Sequence, residues 1–506
     1  MKRFSILQVS AVAALASASR AQAPPSFAPV QHFGVSGHPS SVAVGDVNRD
    51  GLLDVLTISA ESELALCIGL PTGGFSAPTK VPMSGATIAV AIGDFNGDGS
   101  PDAAALNVMS SQLVIRLGNG AGSFGAATVS TSGPLPSGLA LGDINNDGKL
   151  DAVASNQTTN AITAKLGNGL GGFNSIVSVS MGAAPSGVAL ADLNGDGKLD
   201  VATSNANGGN VSVRMGNGLG GFLSLINYVM GSQPQAVAFG DLNGDGKLDC
   251  ATSNKASSNV TYRLNTGSGA FAALQSVAAG GVPKGLCLVD LNADGRVDAA
   301  HGNEAGDIGM HMGDGAGGLS AATSFAADDS SRSLAVADLN GDGRLDVVST
   351  DGASAPQDFA VLVSTQPTPA GLAPYGIGTP GCAGIEGMTA SMSPTVGASA
   401  FRFLVTGAPA KGLGFALFST AQDVTGFDYL GLGLLMHVNP FAVGAGFFDL
   451  HSDPSGYCAE LVPVPDVPAL EGLELGVQAF WYWPACMPSK SGGSTSRGLR
   501  VTIQAP

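Results

Sequence analysis

A nine-residue motif, Asp-x-Asn-x-Asp-Gly-x-x-Asp, occurs seven times in this 506-residue chain. Its copies begin at Asp46, Asp94, Asp143, Asp192, Asp241, Asp290 and Asp338, each 48 or 49 residues after the last. A strict period of this length marks a propeller or solenoid, in which one supersecondary unit is repeated and each copy buries its apolar face against the next. It also lets a chain too long for one ordinary core fold as an array.

The unit can be read in the fourth copy. Residues 186–190 are small and apolar and predict a first strand. The acidic loop follows, and 201–204 predict a second strand. Residues 211–215 alternate and predict a third. Gly216, Asn217 and Gly218 predict a turn, and 222–229 a fourth strand. Four antiparallel strands per repeat make a propeller blade. The run Ser26-Phe27-Ala28-Pro29-Val30 resembles the fourth-strand run Phe75-Ser76-Ala77-Pro78-Thr79, yet it precedes the first loop. The seventh repeat lacks a fourth strand, because the chain becomes Pro-rich after Val363. The N-terminal strand is therefore expected to complete the last blade, which removes an exposed sheet edge. The expected fold is all-β: a seven-bladed propeller of four-stranded blades over residues 24–365, then a small β-sandwich.

Each loop presents hard oxygen donors at alternate positions. The side chains at positions one, three, five and nine are Asp46, Asn48, Asp50 and Asp54 in the first loop, and Asp94, Asn96, Asp98 and Asp102 in the second. The third has Asp143, Asn145, Asp147 and Asp151, and the fourth Asp192, Asn194, Asp196 and Asp200. The fifth has Asp241, Asn243, Asp245 and Asp249, and the sixth Asp290, Asn292, Asp294 and Asp298. The seventh has Asp338, Asn340, Asp342 and Asp346. Position seven offers a backbone carbonyl whatever its side chain, so Leu52, Ser100, Lys149, Lys198, Lys247, Arg296 and Arg344 all serve there. This set suits Ca²⁺, which takes six to eight oxygens in a flexible shell, and Gly at position six permits the sharp turn. Mg²⁺ fits less well, since it keeps several waters. The loops are not EF-hands: position twelve, where a bidentate Glu belongs, holds Thr57, Ala105, Ala154, Thr203, Thr252, His301 and Ser349. About seven structural Ca²⁺ ions are the expected cofactor.

Charge agrees with that expectation. The formal charge is −17, which excludes a nucleic-acid partner, for no basic face could neutralise phosphates. Residues 1–23 read as a secretory leader: Lys2 and Arg3, then an apolar run over 6–16, too short to span a bilayer. Cleavage is expected after Ala23, with Ala18 and Ala21 as alternatives. Loss of Lys2, Arg3 and Arg20 takes the charge to about −20, and seven Ca²⁺ bring it to about −6, ordinary for a soluble protein. No later segment is apolar enough for a membrane span. The expected location is extracellular or at the cell surface, and the expected state is monomeric.

These residues resemble the FG-GAP/VCBS repeats, the integrin α-subunit type of propeller, over 26 to about 365. The resemblance implies that the acidic loop joins the first two strands of each blade and binds calcium. It also implies adhesion, ligand binding or scaffolding, with a protein or glycan partner; some members are lectins, and some adjoin catalytic domains. The Phe-Gly-Gly-Ala-Pro element is degenerate here, as in Met181-Gly182-Ala183-Ala184-Pro185.

Residues 366–374 hold Pro367, Pro369 and Pro374 and read as a linker. Residues 375–506 lack the repeat. Runs at 401–405, 414–418 and 499–503 predict strands of a sandwich. The frame around Cys382, Cys458, Gln478-Ala479 and the terminal Ser-Arg-Gly-Leu-Arg-Val-Thr-Ile resembles a C-terminal module of secreted proteins from planctomycete-like bacteria. Cys382 and Cys458 are candidates for a disulfide that leaves Cys486 over. Cys250 and Cys287 read as small buried residues. Arg116, Lys165, Arg214 and Arg263 recur on the third strand and are expected to pair with carboxylates of a neighbouring blade; a ring for anionic ligands is the alternative. The run 480–483 (Phe-Trp-Tyr-Trp) reads as packing, with sugar stacking the alternative. The six histidines show no catalytic spacing, so no catalytic residue is assigned. A lectin and a polysaccharide lyase are the competing functions.

Overall fold

The computed structural model describes residues 24–365, apart from 36, 60–62, 72, 84, 328–329, 343 and 352–356; beyond 365 it describes only the backbone of separate strands. The leader, residues 366–371 of the expected linker and any disulfide of Cys382, Cys458 and Cys486 lie outside the described residues; the last residues of the expected linker instead open the strand Leu372–Tyr375, paired with Gly498–Thr502.

Seven four-stranded antiparallel sheets follow one another. The fourth blade is Pro185–Ala191, Asp200–Asn205, Asn210–Gly216 and Phe222–Val229, close to the boundaries expected from sequence. First strands of neighbouring blades pack against each other all round, and Ser331–Ala337 of blade seven meets Pro39–Gly45 of blade one. They therefore line the axis, and the ring is closed. Each first strand carries a bulge near its start, as between Pro185 and Gly187. Such a bulge adds local twist.

Closure uses the N-terminus as expected, with a shift of position. Phe27 forms only a bridge with Ser364, and the closing strand is Gln31–Gly34, paired with residues 358–361. The first blade shows the same arrangement: Phe75 bridges Gly69, and the outer strand is Thr79–Pro82. The sequence match was sound, but it marks the approach to the strand. Phe33, Phe75 and Phe359 meet at this seam with ring centroids 5.1 to 5.6 Å apart. Aromatic contacts of this kind add about 0.5–1.5 kcal/mol beyond burial.

The apolar core lies between blades. One cluster joins Leu56, Leu64 and Leu66 of blade one to Ala103, Ala105 and Val114 of blade two. Another joins Val55 and Cys67 to Val348, Phe359 and Val361 across the closing seam. Cys67 and Cys250 are buried, and burial pushes their thiols, with that of half-buried Cys287, up to about 12. Cys250 and Cys287 are packing residues, as expected, and Cys67, in the register where other blades carry a base, packs in the closing seam.

Among the described residues the third-strand bases pair with no carboxylate, which corrects the sequence expectation. Their partners are mainly backbone carbonyls at the ends of outer strands. Arg116 donates to Pro82 O of the preceding blade and to Gly125 O of its own. Arg214 does the same with Ser180 O and Leu223 O. Arg263 donates from Nε and Nη2 to Val229 O and from Nη1 to Ala272 O. Lys165 is 1% exposed and reaches Ser130 Oγ at 2.7 Å. Outer strands have no further strand to satisfy them, so a long cation tied to their carbonyls clamps one blade to the next.

Beyond 365, Leu413–Ser419 lies between Gly446–His451 and Glu474–Tyr482, all antiparallel, and Glu474–Tyr482 also pairs with Gly498–Thr502. These strands cover two of the three expected runs, and Arg402–Thr406 covers the third. Their packing as a sandwich lies outside the described residues.

Candidate metal centre

All seven acidic loops join the first and second strands of a blade and share one backbone pattern. In five loops position one accepts the amides of positions five and six, as Asp192 takes Asp196 N at 3.1 Å and Gly197 N at 2.8 Å; Asp94 takes Gly97 N and Gly99 N, and Asp338 takes Asp342 N. Position three accepts position five, as Asp196 N to Asn194 Oδ1 at 2.9 Å. Position five accepts position seven, as Lys198 N to Asp196 Oδ1 at 3.0 Å. These Asx turns explain the alternation of short acceptors. The loop also needs two left-handed residues. Position six has positive φ at Gly51, Gly99, Gly148, Gly197, Gly246 and Gly295. Position four has it too, at Gly97, Gly195, Gly244 and Gly341 but also at Arg49, Asn146 and Ala293. Sequence reasoning missed position four, because three different residue types hide its conformation.

Position nine behaves differently from the others. Asp200 is fully buried, and its two oxygens accept Leu193 N at 2.9 Å and Gly216 N at 2.8 Å. Asp54, Asp102, Asp151, Asp249, Asp298 and Asp346 repeat this, each taking the amide of position two and an amide at the end of the third strand. Close approach requires glycine at most of these strand ends: a Cβ on Gly216 would stand 2.1 Å from Leu199 O. Burial lifts the carboxyls of Asp54, Asp102, Asp151, Asp200 and Asp249 to about 6, and that of Asp346 to about 7. The backbone amides oppose the shift, and the carboxylates at positions one and five add to it by repulsion.

The donor chemistry fits a hard cation. Each loop gathers three carboxylates that repel one another, an amide oxygen and a backbone carbonyl, and each carboxylate oxygen bonded to one N–H keeps a second lone pair. The arrangement is not that of a closed metal shell. Among the described residues, no three His, Cys, Asp or Glu side chains converge as a cation site. Lys149, Lys198 and Lys247 instead turn back onto the position-five carboxylate at 2.8 to 3.5 Å. These pairs are more than a third exposed and are worth little.

A family profile described as the FG-GAP-like repeat matches residues 46–105, 94–154, 143–203, 192–252, 241–301 and 290–349. The chain belongs to the FG-GAP-like repeat family. Each match runs from the start of one acidic loop to position twelve of the next, so six matches take in all seven loops. Solved structures align with most of this chain. BBS1N, crystallised in complex with ARL6DN and soaked with mercury, aligns with a TM-score of 0.50 at 12% identity, covering 68% of this chain and 97% of its own. The RRP9 WD40 repeats align with a TM-score of 0.48 at 12% identity, covering 67% and 98%. At that identity the likeness to BBS1N is one of fold alone. No curated protein matches the chain significantly.

One pair in this FG-GAP-like propeller was invisible in the sequence. His301 and His311 lie on neighbouring strands of blade six, fully buried, with their Nε2 atoms 3.2 Å apart. His311 Nδ1 lies 2.8 Å from Ser320 O and must donate to it. Its Nε2 is then an acceptor, so His301 donates there, and His301 Nδ1 is left without a partner. His311 occupies the register of Arg116 and Arg214, opposite the first residue after position nine. The register signal exists, but two histidines ten residues apart carry no recognisable spacing.

Proposed function

We propose that this chain is a secreted calcium-binding propeller that acts by holding a protein or glycan partner, in an adhesive or scaffolding role, rather than by catalysis. One observation carries the metal reading. Seven loops repeat the same oxygen donors, each with three mutually repelling carboxylates, and where a side-chain cation is held it meets only the position-five carboxylate. Calcium removes that repulsion, and positions one, three, five and nine with the position-seven carbonyl would hold it. The metal's part is structural: it fixes the turn that starts each second strand. The FG-GAP-like family supports binding as the activity, and partner contacts are expected on the surface between the loops.

The test is thermal unfolding of the full chain in 1 mM CaCl₂ and in EDTA. With a Kd of about 0.1 mM at 1 mM free Ca²⁺, each site adds about 1.4 kcal/mol, and seven independent sites about 10 kcal/mol. That rivals the whole stability of an ordinary domain. A melting curve unchanged by EDTA rejects the metal reading.

A further inference from the structure

The loops are joined to one another. At the seam between blades three and four, Gly220 N in the turn after the third strand of blade four donates to Ile144 O, position two of the loop in blade three, at 3.2 Å. Ile144 N in turn donates to Asp151, position nine of that loop, at 2.9 Å. Gly216 opens the same blade-four turn and donates to Asp200, position nine of its own loop. Each loop is thus tied through its position-nine carboxylate to its own turn, and that turn is tied to the preceding loop. The pattern recurs with Gly171 N on Phe95 O at 3.1 Å and Gly317 N on Leu242 O at 3.1 Å. At the seam between blades four and five, the side chain of Asn265 makes the bond instead, Nδ2 to Leu193 O at 2.8 Å, while its backbone N holds Asp249 at 2.7 Å. Four links therefore join the second to the sixth loops in one unbroken relay.

We infer that calcium fills these five loops cooperatively. This inference rests on the calcium reading above. An ion that orders positions one to nine of one loop fixes the position-two carbonyl, which seats the next blade's turn, and that turn holds the next position-nine carboxylate in place. The second ion then meets a site already ordered, so it binds more tightly with no new ligand. One hydrogen-bonded link corresponds to a change in neighbouring affinity on the order of threefold, and four links act in series. Position-nine aspartates are thus positioning residues between sites as well as donors within them.

Asn265 gives a direct test: its side chain is no metal donor, and besides the link to Leu193 O it bonds only Leu248 O at 3.0 Å and Gly267 N at 2.9 Å of its own blade. Calcium binding to the full chain is followed by titration calorimetry for the native protein, Asn265→Ala and Asn254→Ala. Asn254 is a buried residue at the opposite end of the same blade, bonded to Thr261 and Asn259, and its variant controls for general destabilisation. The native isotherm should be steeper than that of independent sites. Asn265→Ala should keep the stoichiometry, lose steepness and split into two phases, and Asn254→Ala should keep the native shape. A second variant, Asp192→Asn, should weaken the adjoining third and fifth sites about threefold as well as lowering the stoichiometry by one. A native isotherm of independent sites, or equal effects of Asn265→Ala and Asn254→Ala, overturns the coupling while leaving the calcium reading intact. No binding by any of the proteins overturns the calcium reading itself.

Discussion

Replacing Arg263 by Met tests whether the third-strand bases clamp the ring through backbone carbonyls. The guanidinium serves two acceptors: Val229 O of blade four at 2.9 and 3.1 Å, and Ala272 O of its own blade at 2.5 Å. Hydrogen bonds from a charged donor contribute about 1.5–3 kcal/mol each when buried. These carbonyls lie at outer strands and regain some water after the change, so the loss should be about 2–3 kcal/mol in total. Met keeps most of the apolar stem, so little of the loss comes from packing. A propeller of about 340 residues has an unfolding entropy near 0.7 kcal/mol per degree, so Tm should fall by roughly 3–4 °C. The assay is thermal unfolding by circular dichroism in EDTA, repeated in 0.05 and 0.5 M NaCl. Arg263→Lys should lose about half as much, since an ammonium lacks the fork that spans both carbonyls. A carboxylate pair would weaken as salt rises, whereas a clamp on carbonyls keeps its effect. A change within 0.5 kcal/mol of native, or an effect that vanishes at high salt, refutes the clamp.

Further outcomes follow from other sites. Arg49→Gly and Ala293→Gly relieve left-handed backbone at position four (φ 61° and 56°), and each should stabilise the fold by about 0.5–1 kcal/mol; a lower Tm for both contradicts the strain. His301 is held down to about 3 by burial first and by repulsion of a second proton on the His301–His311 pair, against an upward pull from Asp307. Its folded value lies below the unfolded one of about 6.5, so the unfolded state takes the proton first. Stability from the buried neutral ring is therefore present above pH 6.5 and lost as pH falls toward 3, by about 2 kcal/mol at pH 5. His301→Thr, the residue that blades four and five carry there, should remove this part of the acid sensitivity, and parallel pH–stability curves for the two proteins contradict it.

Much of the architecture was legible because it is written in a period. The 48–49-residue spacing gave the blade count, alternation gave the strands, and the stray Phe27 run gave ring closure. The closing strand itself sits later, at Gln31–Gly34, because the Phe-containing run packs at a bridge before pairing begins. The side-chain chemistry was less legible. Position nine looks like any other donor in the motif, yet its oxygens are shared with amides seven residues back and fifteen to eighteen ahead, a relation no local spacing displays. The bases invited a search for acids in a chain rich in them, but their partners are carbonyls, which every residue carries. The His301–His311 contact depends on strand register, and Gly309 leaves room for the ring: a Cβ there would lie 2.4 Å from His301 Cε1.

The most direct test of the calcium-loaded propeller is the metal content of the full chain at dialysis equilibrium with 1 mM CaCl₂, read by inductively coupled plasma mass spectrometry as the excess in the protein compartment over the dialysate, against matched EDTA-treated protein. The seven equivalent loops predict about seven Ca²⁺ per chain, with little Mg²⁺ when both ions are offered. A content near zero, with loops that keep their hydrogen bonds and stability in EDTA, would show that the seven motifs are Asx turns alone.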